Sequence, residues 1–165
     1  MSDILIRELL SEDSIPELTD LLHAAYSPMI ERGVHFFAAT QTEAHTQERI
    51  RRAYLTYLGL EGDRMIATIS LYKAVPDHRC AQYRTAWWFG QFAVRPDRQR
   101  TGIGTKLIEL VEQRAKQGGA SMLALDTAEH ARDLIAYYEK RGFTFAQFQQ
   151  WPDVRHRSVI LCKAL

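Results

Sequence analysis

Phe92-Ala93-Val94-Arg95-Pro96-Asp97-Arg98-Gln99-Arg100-Thr101-Gly102-Ile103-Gly104-Thr105-Lys106-Leu107 is the stretch from which the rest of the chain can be read. It runs from an apolar strand, through a loop with two glycines, into a helix. The first N–H groups of a helix have no partner inside it and sit at the positive end of its dipole. An anion placed there meets several donors together. Glycine at 102 and 104 lets the backbone come close without a Cβ in the way, and Gln99, Arg100 and Thr105 can add side-chain donors. The pattern predicts a phosphate cradle on the N–H groups of residues 100–105.

Downstream, Ile103, Leu107, Ile108, Leu110, Val111 and Ala115 follow helical spacing up to a stop at Gly118-Gly119. A strand is predicted over Ser121 to Asp126, a helix over Ala131 to Arg141 capped by Gly142, and strands over Phe143 to Gln150 and Arg157 to Lys163. Upstream, Met65 to Val75 and Gln82 to Val94 read as an antiparallel pair interrupted at Pro76-Asp77-His78. A first strand near Ile4 to Leu10 precedes a helix with Ser14 as N-cap, ending near Ala25. Pro28 and Gly33 then break the chain into a connection reaching Thr42. A second helix is predicted from Glu43 to Leu58, with Ile50, Ala53, Tyr54, Tyr57 and Leu58 on one side and Arg49, Arg51 and Arg52 on a solvated face. The sum is an α/β (α+β) fold over 1–165: one domain, a mixed sheet, and helices on its faces.

Composition narrows the function classes. With 21 basic and 20 acidic residues the formal net charge is +1, which gives no global pull toward nucleic acid or an anionic membrane. Six histidines include no pair at helical ligand spacing, so no metal is expected. Cys80 and Cys162 form no C-x-x-C pair, which fits a reducing compartment. The opening Met1-Ser2-Asp3-Ile4-Leu5 lacks a basic, then apolar leader pattern, and a cytoplasmic location is expected.

Three phosphate loops compete for the glycine segment. A Walker loop ends glycine-lysine-Ser/Thr, whereas Gly104 is followed by Thr105-Lys106. A dinucleotide fingerprint gains from Asp126 at a strand end, but Leu107 stands where the third glycine belongs and Gly102 lies eight residues beyond Val94. Gln99-Arg100-Thr101-Gly102-Ile103-Gly104 instead resembles the coenzyme A signature of the GNAT acetyltransferase superfamily, Gln/Arg-x-x-Gly-x-Gly/Ala. Tyr138-Glu139-Lys140-Arg141-Gly142-Phe143 resembles the family's second hallmark, Tyr-x-x-x-Gly-Phe, in the right order.

The resemblance implies a mostly antiparallel sheet with a parallel splay, and an enzyme that moves the acetyl group of acetyl-CoA to a primary amine by direct attack in a ternary complex. It assigns cofactor binding to Phe92, Ala93, Val94, Gln99, Arg100, Thr101, Gly102, Ile103, Gly104, Thr105 and Tyr138, and makes Tyr138 the general acid. Where the family often carries a carboxylate base the chain has Gln91 and Ala93, leaving Asp126 and Glu129 as base candidates, with His78 and His130 also able to titrate near neutral pH. Acceptor specificity is expected from the connection at Tyr26 to Thr42, the second helix, the turn near Pro76 to Tyr83 and the closing hairpin. Of Phe36, Phe37, Trp87, Trp88 and Trp151, at most half are expected to face the acceptor. Two other readings are a coenzyme A-binding regulatory domain without turnover and a nucleotide-binding oxidoreductase domain. A homodimer through an exposed closing strand is a further expectation.

Overall fold

The structure, a computed structural model, describes residues 3–165. Met1 and Ser2, the start of the stretch read for a leader, lie outside the described residues. In chain order the elements are β1 (Ile4–Glu8), α1 (Ile15–Glu31), α2 (Glu43–Arg52), β2 (Leu55–Glu61), β3 (Arg64–Tyr72), β4 (Trp87–Val94), α3 (Ile103–Gln117), β5 (Met122–Ala128), α4 (Arg132–Glu139), β6 (Thr144–Gln150) and β7 (Arg157–Ala164). The strands form one sheet in the order β1-β2-β3-β4-β5-β7-β6. Every neighbouring pair is antiparallel except β4–β5. That parallel pair is joined only at Trp87↔Leu123 and Trp88↔Ala124, so the two strands part before they end at Val94 and Ala128. The expected mixed sheet with a splay is therefore present, and its outer closing edge is β6, with β7 inside.

Two boundaries differ from the sequence reading for physical reasons. Ser14 caps α1 by accepting from the Glu17 N–H, and Leu18, Leu21 and Leu22 are buried as expected. The helix then passes through Pro28 to Glu31, so Tyr26 and Met29 belong to it and not to a connection. Pro28 forfeits one backbone hydrogen bond, but it lies on the exposed side near the helix end, where Met29 still packs in a cluster with Val34 and Ala131.

The second helix stops at Arg52, and residues 55–61 are a strand. Leu58 and Leu60 pack with α1, while Leu55 and Tyr57 join the cluster containing α3. A strand buried on both faces reads as an unbroken apolar run, and the Tyr54, Tyr57, Leu58 spacing imitates a helix. Smaller shifts are that β3 ends at Tyr72, that Gln82–Arg84 is a short 3-10 turn ahead of β4, and that α4 ends at Glu139.

Helices cover both faces. α1 lies over Leu58, Leu60, Met65 and Ala93, and the opposite face carries α3, with Leu107, Ile108 and Val111 against Ile66, Ile69, Leu71 and Phe89. Gly59 sets how closely α3 approaches, since a Cβ there would lie 2.6 Å from Ile103 Cδ1. The first turn of α3 is thereby pressed onto the sheet beside the end of β4. Among the described residues no helix is long and apolar enough to cross a membrane.

Candidate active site

The site begins with a fault in β4. Ser70 pairs with Gly90 and Thr68 with Ala93, so β4 carries an extra residue, and Gln91 takes a left-handed φ of 46°. A non-glycine residue held there costs of order 1 kcal/mol and needs support around it. Gln91 is buried, its Oε1 accepts from Gln41 Nε2 at 2.9 Å and its Nε2 faces Ser70 Oγ at 3.4 Å. Gln41 also donates to Thr46 Oγ1 at 2.7 Å, tying the bulge to α2. Beyond the bulge, the Phe92 carbonyl accepts from the Tyr26 hydroxyl at 2.5 Å and the Val94 carbonyl accepts from Gln99 Nε2 at 3.2 Å. Gln99, expected to supply a donor to a phosphate, spends that donor on the strand.

The predicted cradle follows. Arg98 pairs with Glu61 at 2.6 Å, and Thr101 Oγ1 donates to the Arg98 carbonyl at 2.7 Å, which fixes the loop. Arg100 (φ 62°) and Gly102 (φ 88°) are both left-handed, the kind of alternation that turns successive N–H groups toward one concavity. None of the N–H groups of residues 100–105 donates to another described residue, and the first to do so is that of Lys106, to the Gly102 carbonyl at 3.1 Å. The two glycines serve differently. Space around Gly102 is open, so its role is the positive φ. At Gly104 a Cβ would stand 3.2 Å from Phe92 Cζ and 3.3 Å from Tyr137 Oη.

Arg141 was not read from the sequence as part of this site. Its Nη2 donates to Thr105 Oγ1 at 2.7 Å and its Nη1 to the Tyr137 carbonyl at 2.7 Å, while the guanidinium lies 3.5 Å over the Tyr137 ring. Its Nε is buried with no hydrogen-bond partner. The available signal was a cation one helical turn beyond Tyr137, on a helix whose end meets the start of α3. The cradle, Arg141 and the open side of β4 line one cleft of about 720 Å³. Six free N–H groups, a guanidinium and a Cβ-free approach fit a diphosphate-bearing ligand such as coenzyme A.

A second cleft of about 890 Å³ meets the first at Tyr26, Phe92, Leu134 and Tyr138. Tyr138 is buried at that junction. Desolvation, and after it the neighbouring Tyr26, Tyr137 and Asp126, push its hydroxyl well above the usual tyrosine range. Asp126 lines the second cleft, accepting from the Tyr83 hydroxyl at 3.2 Å and Trp151 Nε1 at 3.0 Å. No cation stands within ion-pair distance of it among the described residues. Glu129 lines neither cleft. It is paired with Arg157 at 2.6 Å, and that hydrogen bond holds its carboxyl below the ordinary range.

Phe36, Phe37, Trp88 and Trp151 all line the second cleft, while Trp87 is buried in the core, against Tyr54. Trp88 is stacked between Tyr72 and Tyr83 at 5.4 and 4.5 Å. The arginine cluster divides too. Arg51 faces outward onto Glu48 as expected, whereas Arg49 and Arg52 line the cleft, Arg52 paired with Glu48.

Comparison with known proteins follows the same line. The model of the acetyltransferase (GNAT) family matches residues 15–143. The chain is 32% identical over 136 residues to an S-(2-succino)cysteine N-acetyltransferase of Bacillus subtilis, covering 80% of this chain and 79% of that protein. Among solved structures, the ribosomal-protein-S18-alanine N-acetyltransferase of Escherichia coli superposes with a TM-score of 0.75 at 20% identity, over 98% of this chain and 94% of the other. A GNAT family acetyltransferase from Elizabethkingia anophelis, solved with acetyl-CoA bound, gives a TM-score of 0.72 at 18% identity over the whole of both chains.

Proposed function

The chain belongs to the acetyltransferase (GNAT) family, and on that footing we propose that its single domain transfers the acetyl group of acetyl-CoA to a primary amine of a small molecule or peptide. The observation that carries this reading is the row of unpartnered N–H groups at residues 100–105, set beside splayed strands and opening onto the junction where Tyr138 lies. Acetyl-CoA supplies a thioester carbonyl that a neutral amine attacks directly while both are bound, a C–N bond forming as the C–S bond breaks.

The residues of the chain divide that work. The N–H groups of residues 100–105 and Arg141 hold the diphosphate, the positive end of the α3 dipole adding to them. Tyr138 donates to the departing sulfur. An ordinary thiol ionises near 8.5 and the buried hydroxyl well above 10, so Tyr138 stabilises the thiolate by a hydrogen bond and keeps most of its own proton. Asp126, free of any cation and facing the second cleft, takes the proton from the amine. Glu129 is committed to Arg157. The named substrate of the Bacillus subtilis relative is a modified cysteine, which supports a small-molecule acceptor over a protein one.

Thiol release from acetyl-CoA with a panel of amines, S-(2-succino)cysteine included, tests the reading. A thermal shift with acetyl-CoA, set against one with a nicotinamide dinucleotide, tests the cradle. At 100 times its Kd the bound ligand adds about 2.7 kcal/mol. Binding without thiol release from any amine would favour a coenzyme A-binding regulatory domain, for which Gln91 in place of a carboxylate is the supporting observation.

A further inference from the structure

We infer that Arg49 makes the acceptor cleft a site for amines that carry a carboxylate, with the ammonium end toward Asp126 and the carboxylate on the guanidinium. The inference rests on the second cleft being the acceptor site of an acetyltransferase.

Arg49 is half-buried, and its Nη1 donates to Gln41 Oε1 at 2.8 Å. Gln41 is itself buried and clamped by Thr46 and Gln91, so the guanidinium is held from a rigid backing. No acidic group of the described protein stands within 4 Å of it. Neighbouring Arg52, by contrast, is neutralised by Glu48 at 2.7 Å. Gly90 provides the seat. A Cβ there would lie 3.3 Å from Arg49 Nη2 and 3.7 Å from Tyr72 Cε2. Beside it the Tyr72 hydroxyl is buried without a hydrogen-bond partner. An arginine with a pre-set planar fork, free donors and no counter-ion is suited to bind a carboxylate through two parallel bonds.

Asp126 provides the opposite pole, because it too lines the cleft without a cation. Both charges act on the Tyr26 hydroxyl, Arg49 lowering and Asp126 raising its ionisation, so both lie near the junction with the cofactor cleft. An acceptor spanning them presents its amine near Tyr138, between the stacked Tyr72-Trp88-Tyr83 panel and Phe36. The other ionisable groups on the cleft wall are Arg52, Asp77, His78, Arg79, Asp153 and His156.

The test pairs L-amino acids and S-substituted cysteines with their α-carboxamides, which keep the amine and lose the negative charge. The amide's amine is less basic and more of it is neutral near pH 7.5, so amine chemistry alone favours the amide. Preference for the acid by about 10- to 100-fold in kcat/KM, the worth of charged hydrogen bonds, supports the inference. In Arg49→Met that preference disappears, and in Arg49→Lys it returns in part. Calorimetric binding of the same pairs in the presence of coenzyme A reads the same preference if no amine releases thiol, which separates failure of the transferase reading from failure of this one. Equal handling of acid and amide by the wild type, or equal losses for both in Arg49→Met, overturns the assignment. Should Arg49→Met melt early or lose its shift with acetyl-CoA, the wild-type and Arg49→Lys comparisons decide.

Discussion

Tyr26, on α1, donates its hydroxyl to the main-chain carbonyl of Phe92, on the far side of the bulge in β4, at 2.5 Å. This bond joins a helix to the strand at the point where the two clefts meet. Burial and Asp126 push the Tyr26 hydroxyl up to about 12, against the opposing pull of Arg49.

Tyr26→Phe removes the bond and leaves the Phe92 carbonyl short of a partner. The expected cost is about 1–2 kcal/mol, which for a chain of this size lowers Tm by roughly 2–8 °C. The pH dependence has a definite sign. Tyrosine is neutral when protonated, and the unfolded state loses that proton near 10 while the folded state holds it to about 12. Stability is full below pH 10 and falls as pH rises from 10 to 12. Buried Tyr72, Tyr83 and Tyr138, raised by desolvation, add to the fall. Denaturant melts across pH 8–12 should show a shallower alkaline slope in Tyr26→Phe.

The two cradle glycines should fail in different ways. Gly102→Ala forces a Cβ into a φ of 88° with open space around it, so it costs about 1–2 kcal/mol of stability. Gly104→Ala meets Phe92 and Tyr137 on the cleft wall, where accommodation moves the ring that carries Arg141. Melting of the free protein should drop more for Gly102→Ala, and coenzyme A affinity should drop more for Gly104→Ala, by about tenfold or more. The reverse order would mean that the second glycine has no part in the cradle.

Arg141→Met should weaken coenzyme A binding by about tenfold or more, since it removes a charged donor set from a site built to hold phosphate. Its salt dependence separates charge from packing. Calorimetric Kd for the wild type should weaken with added salt, and that dependence should be smaller in the variant. A Kd that shifts while its salt dependence stays the same would make Arg141 a support for Tyr137 only.

Much of this was legible beforehand because it was local. Gly102 and Gly104 sit in a short pattern whose chemistry is in the backbone, Tyr138 in one a few residues long, and the downstream helix and strands have clean periods. What escaped depended on partners distant in sequence. β2 escaped because burial on both faces erases the alternation that marks a strand, and only the neighbouring strands reveal it. Arg49 and Arg51 are two residues apart, yet one faces Gln41 and the cleft and the other faces Glu48 and water. Gln91 holds a positive φ that its residue type does not announce; Gln41, fifty positions away, does part of the holding. Arg141 needed the end of α4 to meet the start of α3.

Tyr138→Phe should lower kcat by about 10- to 100-fold and leave the Kd of acetyl-CoA nearly unchanged, because the ring still fills the junction against Phe143 and Tyr137. Stopped-flow thiol release and calorimetry read the two quantities separately. An unchanged kcat removes Tyr138 from the chemistry.

Asp126 is the sharpest test of the acceptor side. If its carboxylate takes the proton from the amine, Asp126→Asn should lower kcat/KM by about 10²-fold or more. Binding of acetyl-CoA should hold, because Asp126 lines the second cleft and not the first. Asparagine keeps an oxygen for Tyr83 or Trp151, so the aromatic panel should stay in place, and near-ultraviolet circular dichroism can check that it does. Glu129→Gln is the matched control. It loses the pairs with Arg157 and His130, and because Arg157 holds Glu129 below its usual range, the small stability of that exposed arginine pair is present above the ordinary carboxylate pKa and lost as pH falls through the depressed one. A kcat/KM that holds in Asp126→Asn and falls by about 10²-fold in Glu129→Gln would reverse the assignment between the two carboxylates.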